Sequence, residues 1–316
     1  MKNIISYLFI CFVSFCACKN SNASSANSQS ETTETQTDSL KFQIPDVPPM
    51  YGTPEQRAEY LANHYWDNYD FTDTCYLNKD ITEQAWVDFI QLLNFIQLNE
   101  AQNAVKSMYK KAEQKRITFN YFTELAEKYL RDPNSPVRNE EYYIPVLETM
   151  IASDSLLDME KIRPKDRLQL ALKNRLGTKA LDFTYTLANG KQAKMHSLKS
   201  DYILLYFHNP GCHTCGEYTR IMKNSMLINH LLDQKKLTIL SIYPDEEVDE
   251  WKAHLPELSS SWINGYDKEQ ELMIKNSYDL KAIPTLYLLD KNKNVLLKDA
   301  VIEAVEKYLN QIVSDN

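Results

Sequence analysis

The sequence predicts an all-α N-terminal domain followed by an α/β domain with a mixed sheet flanked by helices. Three observations carry that expectation. Residues 45–165 place apolar side chains at helical spacing, with short breaks between stripes. After about residue 170 the pattern changes to short apolar runs of strand length alternating with helical stretches. The order of those later elements, β-β-α-β-α-α-β-β-α, suits a sheet covered on both faces by helices.

The chain has 316 residues, 43% hydrophobic and 25% charged, with a formal net charge of −8. That is length for roughly two domains and composition ordinary for a globular protein. No run of lysine or arginine stands out, so nucleic-acid binding has no electrostatic footprint.

Residues 1–18 read as a targeting segment. Lys2 is the positive end, and Ile4 to Ala17 is largely apolar but short for a bilayer span. The ending Phe15-Cys16-Ala17-Cys18 resembles a bacterial lipobox, which makes Cys18 the expected lipidation site and the mature protein an exported, periplasmic or membrane-associated lipoprotein. Phe15 and Cys16 depart from the commonest lipobox, and a plain signal peptide cut nearby is the other reading. Residues 19–44 form a polar linker. Its first 23 residues have no aromatic and cannot bury a core. Such a tether spans on the order of 25 Å.

The helical domain is expected over 45–168. Thr53-Pro54-Glu55-Gln56 is a helix start, with Thr53 as N-cap, Pro54 at the first position and Gln56 completing a capping box. Ala58, Leu61, Ala62, Tyr65 and Trp66 follow one face. A second start at Thr82 leads into Trp86, Phe89, Ile90 and Leu93. Further stripes are Phe122, Leu125, Ala126, Tyr129 and Leu130, closed by Asp132-Pro133-Asn134, and then Tyr143, Val146, Leu147 and Met150. The segment from Arg57 to Phe71 looks like a helical domain found ahead of thioredoxin-like domains in secreted bacterial proteins. His64, Tyr65 and Trp66 are therefore read as core and interface.

The α/β domain is expected over 169–316. Phe183, Tyr185 and Leu187 alternate into an Asn189-Gly190 hairpin turn. Tyr202 to Phe207 is a continuous apolar run, as in a buried central strand. A helix from Cys215 to about Asp233 follows, then a strand over Leu237 to Tyr243. Helices are expected over Glu246 to Leu255 and Lys268 to Tyr278. Strands Thr285–Leu289 and Val295–Leu297 flank a turn, and a helix over Ile302 to Val313 closes the chain with Val305, Leu309 and Val313 on its apolar face.

Export leaves Cys75, Cys212 and Cys215 of the six cysteines for the folded protein. An oxidising compartment permits a disulfide between the close pair. Cys75 is read as a small buried hydrophobe, with a third redox partner as the alternative. Cys212-His213-Thr214-Cys215 directly follows a buried strand and opens a helix. A thiolate at a helix N-terminus is favoured by unpaired N–H groups and the helix dipole, and the thiolate is the nucleophile of disulfide exchange.

Together with the hairpin Leu181-Asp182-Phe183…Asn189-Gly190-Lys191 and with Ile283-Pro284-Thr285 about 70 residues downstream, this segment resembles the thioredoxin-like family. The resemblance covers about 175–316 and is nearest to extracytoplasmic, membrane-anchored reductases of the TlpA and ResA type. It implies a thioredoxin-like fold and a thiol–disulfide oxidoreductase, expected to act as a reductase. Cys212 would be the nucleophile and Cys215 the resolving thiol. A cis Pro284 would set Ile283 beside the sulfurs. Cysteine-containing exported proteins would be the partners, with a thiol electron donor, a lipid-anchored membrane association and neither cofactor nor metal.

His213 has two readings: a cation that stabilises the Cys212 thiolate, or a solvated imidazole. His208 stands where many thioredoxins carry tryptophan, and is read as a partly buried residue that shapes the site rather than one that transfers protons. Tyr206 occupies the position of thioredoxin's buried acid. Glu246, Glu247 and Glu250 lie where related reductases draw a replacement, and none is assigned. A zinc site needs four ligands, a copper chaperone usually shows CxxxC spacing, and a peroxiredoxin needs a Pro-x-x-x-Thr-x-x-Cys pattern. A purely structural disulfide, a metallochaperone, and an interaction or scaffold lipoprotein on the same fold remain the alternatives.

Overall fold

A computed structural model describes residues 42–314, which belong to one compact unit. The leader 1–18, with Cys18, and the tether to residue 41 lie outside the described residues. The linker ends earlier than residue 44: Phe42 packs 5.3–5.7 Å from the rings of Tyr65, Trp66 and Tyr69, and the Gln43 carbonyl accepts from Asn68. An aromatic side chain at that point has apolar surface to bury, which the polar tract before it lacks.

The helical half begins with α1 (Pro54–His64), whose capping box forms as the sequence predicts. Thr53 Oγ1 accepts from the Gln56 N–H, and Gln56 Oε1 accepts from the Thr53 N–H. Next come α2 (Gln84–Leu92), α3 (Leu98–Ala112), α4 (Arg116–Ala126), α5 (Glu140–Ala152) and α6 (Asp158–Ala171). Thr82 does not start α2. A π turn over Lys79–Glu83 precedes it, capped by Asn78 accepting from Ile81 N–H, while Thr82 is buried and donates to the Tyr76 carbonyl. The core is aromatic: Tyr65, Trp66, Tyr69, Phe71, Phe89 and Phe122 are buried in one cluster, largely in edge-to-face contact. Each such side chain removes about 150–250 Å² from water, which makes this cluster the main stabiliser of the helical half. His64 is not part of it; it pairs at the surface with Asp67.

The second half is a sheet of seven strands among the described residues, ordered β2-β1-β5-β4-β3-β6-β7. The strands are β1 (Thr184–Leu187), β2 (Gln192–Lys194), β3 (Tyr202–Phe207), β4 (Leu237–Tyr243), β5 (Ile263–Tyr266), β6 (Thr285–Asp290) and β7 (Val295–Lys298). β3, β4 and β5 run parallel, while β6 and β1 pair antiparallel at the two sides of that trio. Side chains alternate across β3: Ile203, Leu205 and Phe207 enter one core layer, Leu204 and Tyr206 the other. The hairpin turn is made by Asn189 and by Gly190 at φ +82°.

Helices α7 (His213–Asn224), α8 (Met226–Asp233), α9 (Val248–His254), α10 (Glu271–Ile274) and α11 (Ile302–Ser314) complete the domain. Four expectations change. The helix expected from Cys215 starts at His213 and is two helices, because Ser225 leaves helical geometry and caps α8 through its hydroxyl. The helix expected over 268–278 shrinks to α10, bounded by Gln270 and Asn276 at positive φ. Strand β5, absent from the expected order, forms between β1 and β4. Val305 and Leu309 of α11 are buried, whereas Val313 is exposed.

Candidate functional site

The C-terminal end of central strand β3 delivers the chain to the cysteine pair. His208 N–H still donates to the Ile242 carbonyl of β4, and Asn209 Nδ2 donates to Asp245 just past β4 at 2.7 Å. Pro210 and Gly211 then turn the chain, and Gly211 adopts φ +71°, a conformation glycine takes without a Cβ penalty. The turn sets Cys212 as the N-cap of α7, with its sulfur accepting the Cys215 N–H at 3.2 Å. An N-terminal N–H aimed at sulfur is the contact that favours a thiolate.

Cys212 and Cys215 are disulfide-bonded, with Cα atoms 5.2 Å apart. The two sulfurs are not equivalent. Cys215 is buried at 3% exposure, while Cys212 is partly open. The Ile283-Pro284 peptide is cis, and the Ile283 carbonyl oxygen lies 3.8 Å from Cys212 Sγ. The structure thus brings Cys212, Cys215, Ile283 and Pro284 together.

Beneath the pair, Tyr206 is fully buried. Its hydroxyl donates to the Cys215 carbonyl at 2.7 Å and lies 3.0 Å from Thr219 Oγ1. Burial pushes its phenol well above the ordinary value, so it stays protonated and ties α7 to β3. His208 stacks on Tyr206 and bonds Ser241 Oγ at 2.7 Å. Burial lowers its pKa to about 4, so the imidazole is neutral at neutral pH. His213 points outward, 90% exposed, 3.5 Å from Glu217 one turn along α7.

A cavity of about 710 Å³ opens beside Cys212. Arg220 and Lys223 of α7 form one wall; Trp251, His254 and Glu257 form the other. Lys223 Nζ donates to the Glu257 carbonyl and His254 Nδ1 bonds Glu257 Oε1, which closes the wall against α7. Glu246, Glu247 and Glu250 are exposed and do not line this cavity. The His254–Glu257 wall has no signature in the sequence, since only the β4–β5 connection folding over α7 brings it there.

Cys75 corrects its expectation. It is exposed, in a short turn where Asp73 Oδ1 accepts its N–H. Hydrogen bonding and charge from Asp73 raise its thiol pKa. Small thiols are often buried as hydrophobes, but here the turn set by Asp73 aims the side chain at solvent. Cys75 does not line the cavity beside Cys212.

Among the described residues no helix is long and apolar enough to cross a membrane. Residues 200–295 match a family model described as thioredoxin-like, and residues 17–174 match one described as a domain of unknown function, DUF5106. A crystal structure of a thioredoxin-like protein from Bacteroides caccae is 54% identical, covers 86% of this chain and 99% of its own, and superposes with a TM-score of 0.84. The C-terminal domain of an uncharacterized protein from Bacteroides fragilis is 57% identical over 43% of this chain and 98% of its own, with a TM-score of 0.43. Bovine nucleoredoxin is 24% identical over 118 residues, 37% of this chain; the match spans 27% of that relative's length.

Proposed function

Because the chain belongs to the thioredoxin-like family, with a DUF5106 domain ahead of its sheet, we propose that it is an exported, lipid-tethered thiol–disulfide oxidoreductase that reduces disulfides of other exported proteins. The observation that carries the reading is the asymmetry of the cysteine pair. Cys212 is the accessible sulfur at a helix N-terminus, and Cys215 is buried one turn behind it.

The chemistry follows from that asymmetry. In the reduced protein the Cys212 thiolate attacks one sulfur of a substrate disulfide. A mixed disulfide forms, and the other substrate sulfur leaves as a thiolate that takes up a proton. Cys215 then loses its proton and attacks the Cys212 sulfur, which releases the second substrate thiol. The substrate gains two electrons and two protons, and the protein ends as the Cys212–Cys215 disulfide. An external thiol donor resets it. Ile283 and Pro284 line the approach to Cys212, and His208 and Tyr206 fix the floor. Cys18 supplies the anchor in this reading, and the mass of the mature N-terminus tests it: an unmodified residue removes the anchor.

Turnover of insulin with dithiothreitol tests the activity. The expected result is reduction by the full chain that is lost on Cys212→Ser. Equal rates with and without the protein would favour a scaffold role instead.

A further inference from the structure

The seam between the helical half and the sheet carries a group of paired charges that the cysteine chemistry above does not use. Three cations, Arg138, Lys281 and Lys298, meet three carboxylates, Asp279, Asp299 and Glu140, around a cavity of about 280 Å³. Lys281 Nζ lies 2.9 Å from Asp279 and 3.0 Å from Asp299, with side-chain exposures of only 12%, 9% and 14%. From the helical half, Arg138 reaches Asp299 with Nε 3.6 Å from the carboxylate and a second nitrogen bonded to the backbone carbonyl. Glu140, at the first turn of α5, pairs with Lys298 at the end of β7, and its negative charge also acts through space on Lys281. Lys298 also donates to the carbonyls of Ala171 and Lys173 at the end of α6.

Lys281 stands two residues before Ile283, whose carbonyl faces Cys212. Residues 279–284 have no helix or strand of their own. Their position therefore depends on side-chain partners, and a buried charge that loses its partner moves to find water or another charge. On the thiol–disulfide reading, which this inference rests on, we propose that Arg138 and Glu140 are positioning residues: the helical domain holds the 279–284 loop through Lys281 and Asp299 and so sets the reactivity of Cys212.

The direction follows from electrostatics. The Ile283 carbonyl oxygen stands 3.8 Å from Cys212 Sγ, so on reduction of the pair it is placed to accept the S–H and presents its negative end to sulfur, which favours the thiol over the thiolate. Loosening the loop removes that contact and shifts Cys212 towards thiolate. The other charged and titratable groups lining the cavity beside Cys212 lie outside this loop: His213, Glu217, Arg220 and Lys223 on α7, His254 and Glu257 across the cavity, and His208 beneath.

The test is the pH dependence of iodoacetamide alkylation of Cys212 in the reduced full chain carrying Cys75→Ser. Glu140→Gln should move the midpoint down by roughly half to one pH unit, the size one hydrogen bond contributes. Glu140→Asp should restore it. Loss of thermal stability alone would leave the midpoint in place. A folded Glu140→Gln protein with the parental midpoint overturns the proposal. If Glu140→Gln does not fold, Arg138→Met decides in the same way: a downward shift supports the loop's role and an unchanged midpoint overturns it. Insulin turnover by the parent is run alongside. An inert parent overturns the oxidoreductase reading, whereas the alkylation midpoint reports on the loop in either case.

Discussion

Cys75 and Cys212 are the same side chain in two settings, and the settings differ at every level. Cys75 sits in a three-residue turn beside Asp73, which raises its thiol pKa. Cys212 caps a twelve-residue helix and receives a backbone N–H on its sulfur. Cys75 is exposed on a loop, whereas Cys212 rests on a buried floor of Tyr206, His208 and Ser241. A cysteine's reactivity is a property of the backbone that presents it. Nearby carboxylate charge suppresses the thiolate, and a helix N-terminus favours it.

The largest expected effect is on turnover. Cys212→Ser should reduce insulin turnover on the order of 10³-fold or more, as loss of a nucleophile does elsewhere, while Cys75→Ser leaves the rate at the parental value. A rate that falls with Cys75→Ser would erase the distinction between the two sites.

The floor under Cys212 should show in the pH dependence of stability. His208 titrates near 4 when folded, below its ordinary value of 6.5. The unfolded chain therefore binds a proton between those values that the folded chain refuses. Stability from this group is present above pH 6.5 and is lost as pH falls towards 4. The total is about 3 kcal/mol at about 1.4 kcal/mol per unit. Urea titrations of the parent and of His208→Gln should differ by that amount in their loss between pH 7 and pH 4. Parallel losses would mean that the imidazole is less buried than the geometry requires.

A smaller effect is expected at Tyr206. Tyr206→Phe removes the bond to the Cys215 carbonyl and leaves Thr219 without its partner, at a cost of about 1 kcal/mol in denaturant unfolding. No change would show that the phenol does not hold α7 to the sheet. The smallest effect belongs to the other cysteine. Asp73→Asn should speed Cys75 alkylation a few-fold at neutral pH and leave Cys212 untouched, as peptide mapping would show.

The parts of this picture legible in the sequence are those encoded by near neighbours. The capping box at Thr53, the Asn189-Gly190 turn, the apolar run of β3 and the cysteine spacing each depend on a few adjacent residues. What was not legible depends on partners far along the chain. Strand β5 contains Asn264 and Gly265, residues with low strand preference, and forms because β4 and β1 pair with both of its edges. Gly265 leaves room for the Tyr185 ring, which a Cβ would meet at 3.0 Å and have to displace. A full helix is expected over 268–278, but Asp267 accepts the N–H groups of Glu271 and Leu272 and fixes a single short one. The docking of the His254–Glu257 wall on α7 and the Arg138–Asp299 contact have no local signature at all.

Oxidised glutathione distinguishes the two thiols without any assumption about the natural substrate. The reduced Cys215→Ser chain, exposed to oxidised glutathione and mapped by mass spectrometry, should carry a stable glutathione adduct on Cys212, with Cys75 largely free at neutral pH. An adduct confined to Cys75, with Cys212 unmodified, would contradict the assignment of Cys212 as the attacking thiol.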